Sequence, residues 1–249
     1  MKKRPLVIAH RGASAYAPEN TLEAFEAAVS MRADGIATHV DFTREKKIVL
    51  NHDIRLERTS NAQGAIPDYD LAELKQFDFG VKFYGERRGI RIPTLEELFD
   101  LLKPTDLMIN LEIKDDDPGI LECLLQIEKN FGMADRVLYS SFNHLQLWRM
   151  TQLNPQAKTG VLYGMKNLPL VNAARYAGMM NAYSLHPRAS MLELFPTLVE
   201  DAHNEGLAIY PYTVDTEDMI TDFVQKGCDG LITNQPDVVN KVFRPIFDS

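Results

Sequence analysis

The stretch Gly35-Ile36-Ala37-Thr38-His39-Val40-Asp41-Phe42 runs through Thr43-Arg44-Glu45-Lys46-Lys47 into Ile48-Val49-Leu50-Asn51-His52. Both flanks are short, apolar and β-branched, so both read as strands. Only a short polar segment, around Arg44 to Lys47, separates them. A parallel crossover needs about a dozen residues or more, so the two strands must form an antiparallel hairpin. Apolar runs at 5–10, 107–113, 136–141, 158–163, 181–186, 207–213 and 229–233 read as further strands. Helical patterns occupy 21–31, 94–103, 119–131, 144–153, 170–178, 191–206, 216–227 and 236–243, several of them stopped by glycine.

Nine strand candidates are one too many for a closed barrel of eight. Setting 47–52 aside as the hairpin partner leaves eight, each followed by one helix, directly or after an insertion. That alternation predicts an α/β fold, a (β/α)₈ TIM barrel. Residues 54–93 break the rhythm: they are polar and carry Gly64, Pro67, Gly80, Gly85 and Gly89. A structureless loop this long is uncommon, so a small insertion over the C-terminal mouth is expected. Nothing marks a second full domain, and residues 1–249 are expected to form a single barrel domain.

Composition is that of a soluble globular chain, 45% hydrophobic and 25% charged. The net charge of −8 argues against nonspecific binding to nucleic acid or anionic membrane. Cys123 and Cys228 suggest two buried free thiols rather than a disulfide scaffold. The apolar run before His10 is shorter than a secretory core, and no segment approaches the ~20 residues that span a bilayer. A cytoplasmic protein without stable membrane insertion is expected; the oligomeric state is left open.

In a barrel of this kind the site lies at the C-terminal strand ends. There the sequence has His10 and Arg11, His39 and Asp41, His52 and Asp53, Glu112 and Lys114, Ser140 and Ser141, His186, Tyr212, Thr213, Thr233 and Asn234. His10 and His52 suit an acid–base pair, because imidazole titrates near neutrality. Arg11 and Lys114 would neutralise an anion, the planar guanidinium suiting phosphate oxygens. Glu112 could bind a hard divalent cation. Together these point to phosphate-ester chemistry. His186 is a candidate pocket-lining residue, His144 and His203 read as surface residues, and Trp148 reads as core. Asp115-Asp116-Asp117 reads as a solvated turn before a helix. Phe77, Phe79, Phe83 and Tyr84 are expected to pack the insertion or wall the substrate.

These residues resemble the glycerophosphodiester phosphodiesterase family. His10-Arg11-Gly12-Ala13, Pro18-Glu19-Asn20-Thr21 and Phe25 resemble its opening motif. Ala33-Asp34-Gly35-Ile36, Val40, Thr43, His52-Asp53, Leu56, Arg58-Thr59 and Gly64 resemble its second block. Ile92-Pro93-Thr94-Leu95-Glu96-Glu97 with Leu111-Glu112-Ile113-Lys114, and Tyr212-Thr213-Val214 with 230–237, resemble the rest. The resemblance implies a TIM-barrel hydrolase that converts small glycerophosphodiesters into sn-glycerol 3-phosphate and an alcohol, a step of lipid and glycerol metabolism. It implies His10 and His52 as catalytic, Arg11 and Lys114 as substrate-binding, and Glu112 as a ligand of Mg²⁺ or Ca²⁺. It also implies that 54–93 is the family's insertion.

One strand departs from the family pattern. The family usually has Ile-Glu-x-Asp-Val where this chain has Ile36-Ala37-Thr38-His39-Val40, so two expected metal carboxylates are a methyl and an imidazole. Both positions face the same side of the strand. His39 is then a candidate ligand beside Glu112, shifting preference toward Zn²⁺, Mn²⁺ or Co²⁺. Asp41 or Glu19 could supply a replacement carboxylate. Arg32 stands where the family commonly has glycine. Three readings stay open: hydrolysis with an altered metal or rebuilt site, a degenerate member that binds phosphodiesters without turnover, or deliberate substitution in the laboratory.

Overall fold

The computed structural model describes residues 3–164 and 172–247. Eight parallel segments form a ring: β1 (Leu6–His10), β2 (Gly35–Phe42), β4 (Met108–Ile113), β5 (Val137–Ser141), β6 (Lys158–Tyr163), β7 (Ser184–Pro187), β8 (Ala208–Ile209) and β9 (Gly230–Thr233). The remaining strand, β3 (Ile48–Leu50), pairs antiparallel with β2, Val40 opposite Leu50 and Phe42 opposite Ile48. The hairpin closes with Thr43 N donating to Lys47 O (2.9 Å) and Lys46 at φ 62°. Between β8 and β9 the ring is held by a parallel bridge of Tyr212 with Ile232 and by Ile232 N donating to Pro211 O (3.0 Å). The expected strand at 207–213 is regular only over Ala208–Ile209. Pro211 has no N–H to give to the ladder, so pairing there breaks into single bridges.

Helices follow the ring strands: α1 (Leu22–Ser30), α2 (Leu95–Leu102), α3 (Gly119–Phe131), α4 (His144–Leu153), α5 (Ala173–Met179), α6 (Leu198–Asn204), α7 (Glu217–Lys226) and α8 (Pro236–Phe247). Local chemistry sets their ends. Thr21 Oγ1 accepts from Ala24 N at the start of α1, and Gly132 (φ 67°) and Gly227 (φ 89°) stop α3 and α7. The helix expected at 191–206 is two pieces, Met191–Leu194 and α6. Pro196 lacks an N–H and restricts Phe195, which breaks the run. The first two residues of the helix expected at 170–178 lie outside the described residues.

Strand alternation sorts side chains into two environments. Ile36 and Val40 of β2 and Ile109, Leu111 and Ile113 of β4 pack outward with Phe25, Leu98, Phe99 and Leu124 of the helices. A matching shell on the other side joins Val161, Leu185, Phe223, Val239 and Phe243. The intervening residues point into the barrel, where Ile8, Ala37, Leu138, Tyr210 and Ile232 form a small apolar plug. One step above that plug, the same alternation presents His39 and Glu112, which are register partners. Residues 54–93 carry their own apolar cluster, with Leu56, Ile66, Leu74, Phe79 and Ile92 buried around Val49 of β3. Phe83 and Tyr84 of the insertion remain exposed.

Candidate active site

A cavity of about 210 Å³ opens at the mouth; its lining includes His10, Arg11, His39, His52 and Glu112. Phe142, Leu162, Tyr212 and Ile232 give it an apolar wall. Arg11 leaves β1 in the left-handed region (φ 60°), its N donating to Ala37 O at 2.6 Å. Gly12 follows at φ 79°, and a Cβ there would lie 2.6 Å from the Ala24 backbone carbon. Only glycine lets α1 approach the turn that carries Arg11. The His39 ring sits between the two candidate catalytic rings, with centroids 6.2 Å from His10 and 4.6 Å from His52.

The proton on His10 is placed by its neighbours. Asp215, an acceptor, takes Asn234 N (2.8 Å), Thr233 Oγ1 (3.0 Å) and Asn234 Nδ2 (2.7 Å). Asn234 is thereby fixed with its amide oxygen toward His10 Nδ1, 2.9 Å away. An amide oxygen only accepts, so Nδ1–H of His10 donates and Nε2 keeps its lone pair. Burial and the Arg11 charge lower the His10 pKa to about 3, so the ring is neutral at neutral pH.

His52 is set differently. Its Nδ1 lies 2.5 Å from Asp53 Oδ1, and Lys114 Nζ lies 3.1 Å from its Nε2 and 2.8 Å from its carbonyl oxygen. Asp53 also accepts from Arg58 Nε. Arg58 in turn pairs with Glu19 (2.7 Å), as does Arg11 (2.8 Å). Burial raises the Glu19 carboxyl pKa but the Arg58 hydrogen bond and the Arg11 charge outweigh it, holding it at about 2. Arg11 Nε, buried, has no hydrogen-bond partner among the described residues. The five expected site residues His10, Arg11, His52, Glu112 and Lys114 thus gather at one rim.

His39 Nε2 lies 3.2 Å from Glu112 Oε2, and its Nδ1 faces Asn20 Oδ1 at 3.4 Å. Asn20 is itself held by Thr38 Oγ1 (2.8 Å). Burial, with the neighbouring His52 and Arg11, pushes the His39 pKa well below its ordinary value and burial raises that of Glu112. A hard divalent cation needs about six oxygen ligands, most of them carboxylate or water. Here Ala37 contributes a methyl and Glu112 is engaged by an imidazole. Neither expected replacement helps: Glu19 is spent on two arginines, and Asp41 accepts from Phe42 N (3.0 Å) beside Asp115. Among the described residues no group of three or more His, Cys, Asp or Glu could hold a metal ion. The donor set does not fit the cation that the family pattern implies.

Several expectations are corrected. His186 does not line the cavity; it is fully buried against Tyr210, with Ser184 Oγ 2.8 Å from its Nε2. His144 is partly buried, with Nε2 3.1 Å from Leu162 O and its ring against Tyr163. Trp148 is 53% exposed, because Leu147 and Met150 take the inward positions of α4. Cys228 is buried but Cys123 is partly exposed. Asp215 carries no sequence signal of a role, and neither does Ser14, whose hydroxyl donates to Asn234 Oδ1 at 2.8 Å. Nothing in Val214-Asp215-Thr216 marks a site; Asn234 was visible only as a polar strand end.

The family model described as "Glycerophosphoryl diester phosphodiesterase family" matches residues 10–238. A Caldanaerobacter subterraneus protein named glycerophosphodiester phosphodiesterase is 39% identical over 97% of this chain and 98% of its own length. One of the same name from Bacillus altitudinis is 34% identical over 95% and 97%. Among solved structures, an Oleispira antarctica phosphodiesterase in complex with the product sn-glycerol-3-phosphate superposes with TM-score 0.88 at 27% identity, covering 98% and 97% of the two chains. The neighbouring folds are TIM barrels like this one, and the named relatives are hydrolases. The chain belongs to the glycerophosphoryl diester phosphodiesterase family.

Proposed function

We propose that this barrel hydrolyses small glycerophosphodiesters to sn-glycerol 3-phosphate and an alcohol, with His10 and His52 as the acid–base pair and Arg11 and Lys114 holding the phosphate. The observation that carries the reading is His10 itself: a neutral ring whose Nδ1 proton is committed to Asn234 and whose Nε2 lone pair is left to act, on the same cavity as His52. His10 Nε2 takes a proton from the attacking water as its oxygen bonds to phosphorus. Burial and the Arg11 and Lys114 charges lower the His52 pKa, so His52 takes a proton at Nε2 from the Lys114 ammonium and, as the transient imidazolium, gives it to the departing alkoxide as the phosphorus–oxygen bond breaks. Asp53 stabilises that imidazolium through Nδ1, and the Lys114 ammonium beside Nε2 is the adjacent proton source. The unpartnered Arg11 Nε is a donor suited to a phosphoryl oxygen. No step runs through a divalent cation, since the donors present do not suit one.

The product held by the Oleispira antarctica relative supports the substrate class. The proposal includes one domain spanning residues 1–249, with 54–93 as the family's insertion. That insertion brings Lys82 and Phe83 to a second cavity of about 180 Å³ beside Glu19 and Arg58, the proposed seat of the alcohol. A cytoplasmic setting is part of the reading, supported by the two free cysteines. Ala37 and His39 favour one competitor, a barrel that binds phosphodiesters without turning them over.

The test is release of sn-glycerol 3-phosphate from glycerophosphocholine and glycerophosphoethanolamine. His10→Ala and His52→Ala are each expected to lower kcat by about 100-fold or more. Unchanged turnover in both variants would show the assignment to be wrong. Saturable binding of sn-glycerol 3-phosphate with no product from either diester would favour the competitor.

A further inference from the structure

The family's cation and this chain's donors disagree, and the disagreement points somewhere. The one carboxylate left from the expected metal set, Glu112, faces His39 at 3.2 Å. His39 is only 3% exposed and is braced from behind by Asn20 and Thr38. This is a packed pair rather than a vacant half-site. Softer ions fare little better. A catalytic zinc site takes three protein donors; His10 Nε2 offers one lone pair, but His39 Nε2 faces Glu112, His52 Nε2 has an ammonium beside it, and among the described residues no three His, Cys, Asp or Glu are grouped to hold a metal.

The charges at the rim tell the same story. Arg11, Arg58 and Lys114 stand against Glu19 and Asp53, and the arginines pair with those two carboxylates. Lys114 Nζ instead reaches His52 Nε2 and the His52 carbonyl oxygen, with the Glu112 carboxylate as its nearby negative charge. The Lys114 ammonium and the Arg11 guanidinium suit a phosphodiester anion and would repel a divalent cation from a site already short of two carboxylates.

We infer that this barrel holds its phosphodiester without a divalent cation, the His39–Glu112 pair occupying the metal's place and Arg11 and Lys114 supplying the charge. The inference rests on the reading that the mouth takes a phosphodiester. It concerns how the anion is held, so it can fail or stand separately from hydrolysis.

Calorimetry on chelator-treated protein tests it. Titration with Mg²⁺, Ca²⁺, Mn²⁺, Co²⁺ and Zn²⁺ is expected to show no one-to-one isotherm up to about 1 mM, the weak end of physiological calcium sites. The Kd for sn-glycerol 3-phosphate is expected to agree within about two-fold with and without EDTA, and Lys114→Gln is expected to weaken it about 10-fold or more, the loss of a charged hydrogen bond. The double variant Ala37→Glu/His39→Asp is expected to acquire saturable Mg²⁺ or Ca²⁺ binding. If it fails to fold by thermal melting, His39→Asp alone serves.

A stoichiometric divalent ion in the unaltered protein that tightens sn-glycerol 3-phosphate binding about 10-fold or more, roughly 1.4 kcal/mol, would overturn the inference. Absence of turnover with every metal, while sn-glycerol 3-phosphate still binds in EDTA, defeats the proposed hydrolysis and leaves the cation-free site intact. Turnover that EDTA abolishes and a metal restores does the reverse.

Discussion

Asp215 is not among the residues that line the cavity, yet it decides which nitrogen of His10 keeps a lone pair. Its two oxygens accept from both N–H groups of Asn234, leaving the amide oxygen no direction but toward His10 Nδ1. In Asp215→Asn one acceptor becomes a donor, and the Asn234 amide can turn its NH₂ to the ring. His10 would then carry its proton on Nε2, where the proposed base needs a lone pair. The expected result is a fall in kcat of about 10-fold or more with KM little changed, since second-sphere partners of a histidine typically carry that much. Ring ¹⁵N shifts of His10 should move from the Nδ1–H to the Nε2–H pattern. An unchanged tautomer with lowered kcat would remove Asp215 from this positioning role. Residues at this scale were legible where they sit inside a short motif, as His10 with Arg11, or Glu112 with Lys114. Asp215 was not legible, because its bonds reach 19 residues along the chain to a partner that only the closed ring brings near. Arg32, odd in sequence, is equally odd in conformation: it sits at φ 57°, the region where glycine is free of strain.

Elements matter here for what they deliver. The hairpin strand β3 carries the chain back over the rim so that His52 arrives facing His39, and its return is pinned by Leu50 N donating to Pro93 O (2.9 Å). Directly after Pro93, Thr94 and Glu97 close a capping box at the start of α2. Glu97 also pairs with Lys75 of the insertion at 2.6 Å, so one carboxylate ties helix and insertion together. Thr94→Ala removes the cap and is expected to lower unfolding free energy by about 1 kcal/mol in urea titration. Turnover should stay within about two-fold, because no rim residue depends on Thr94; a loss of activity without a loss of stability would show that the cap reaches the site. The strand–hairpin distinction could be read from spacing because chain length forbids a parallel crossover. The split at Pro196 and the shortened β8 could also have been foreseen, since proline was visible in both. Apolar periodicity masked it: the runs continue through the breaks because buried faces continue while hydrogen-bond ladders do not.

At the scale of the whole molecule, a closed ring buries titratable groups that an open sheet would leave wet, and this couples folding to pH. His186, fully buried inside the barrel, and His10 are both lowered by burial from 6.5 to about 3, and His39 is lowered well below 6.5. A lowered histidine contributes stability that is present above pH 6.5 and is lost as pH falls toward the folded value, because the unfolded chain takes up the proton first. Asp41 works the other way. Burial and Asp115 raise it from 3.8 to about 7, so its contribution is present below pH 3.8 and is lost as pH rises through about 7. Glu112, raised from 4.5, acts in the same sense. Between about pH 6 and 4.5, five imidazoles (His10, His39, His52, His144 and His186) take up protons more readily when unfolded, against three carboxyls (Asp41, Glu112 and Glu128) that take them up more readily when folded. The imidazoles outnumber the carboxyls, so stability falls as pH drops through that window, by about 1.4 kcal/mol per pH unit for each net proton taken up on unfolding. Urea titrations at pH 7.5, 6 and 5 should show midpoints dropping toward acid while the slopes stay constant. In Asp41→Asn the main opposing group is gone, so its midpoint should drop more steeply over the same range. A midpoint that holds level or climbs toward pH 5 would mean that the buried imidazoles already carry protons in the folded barrel, and with that His10 would lose the lone pair on which the proposed chemistry depends.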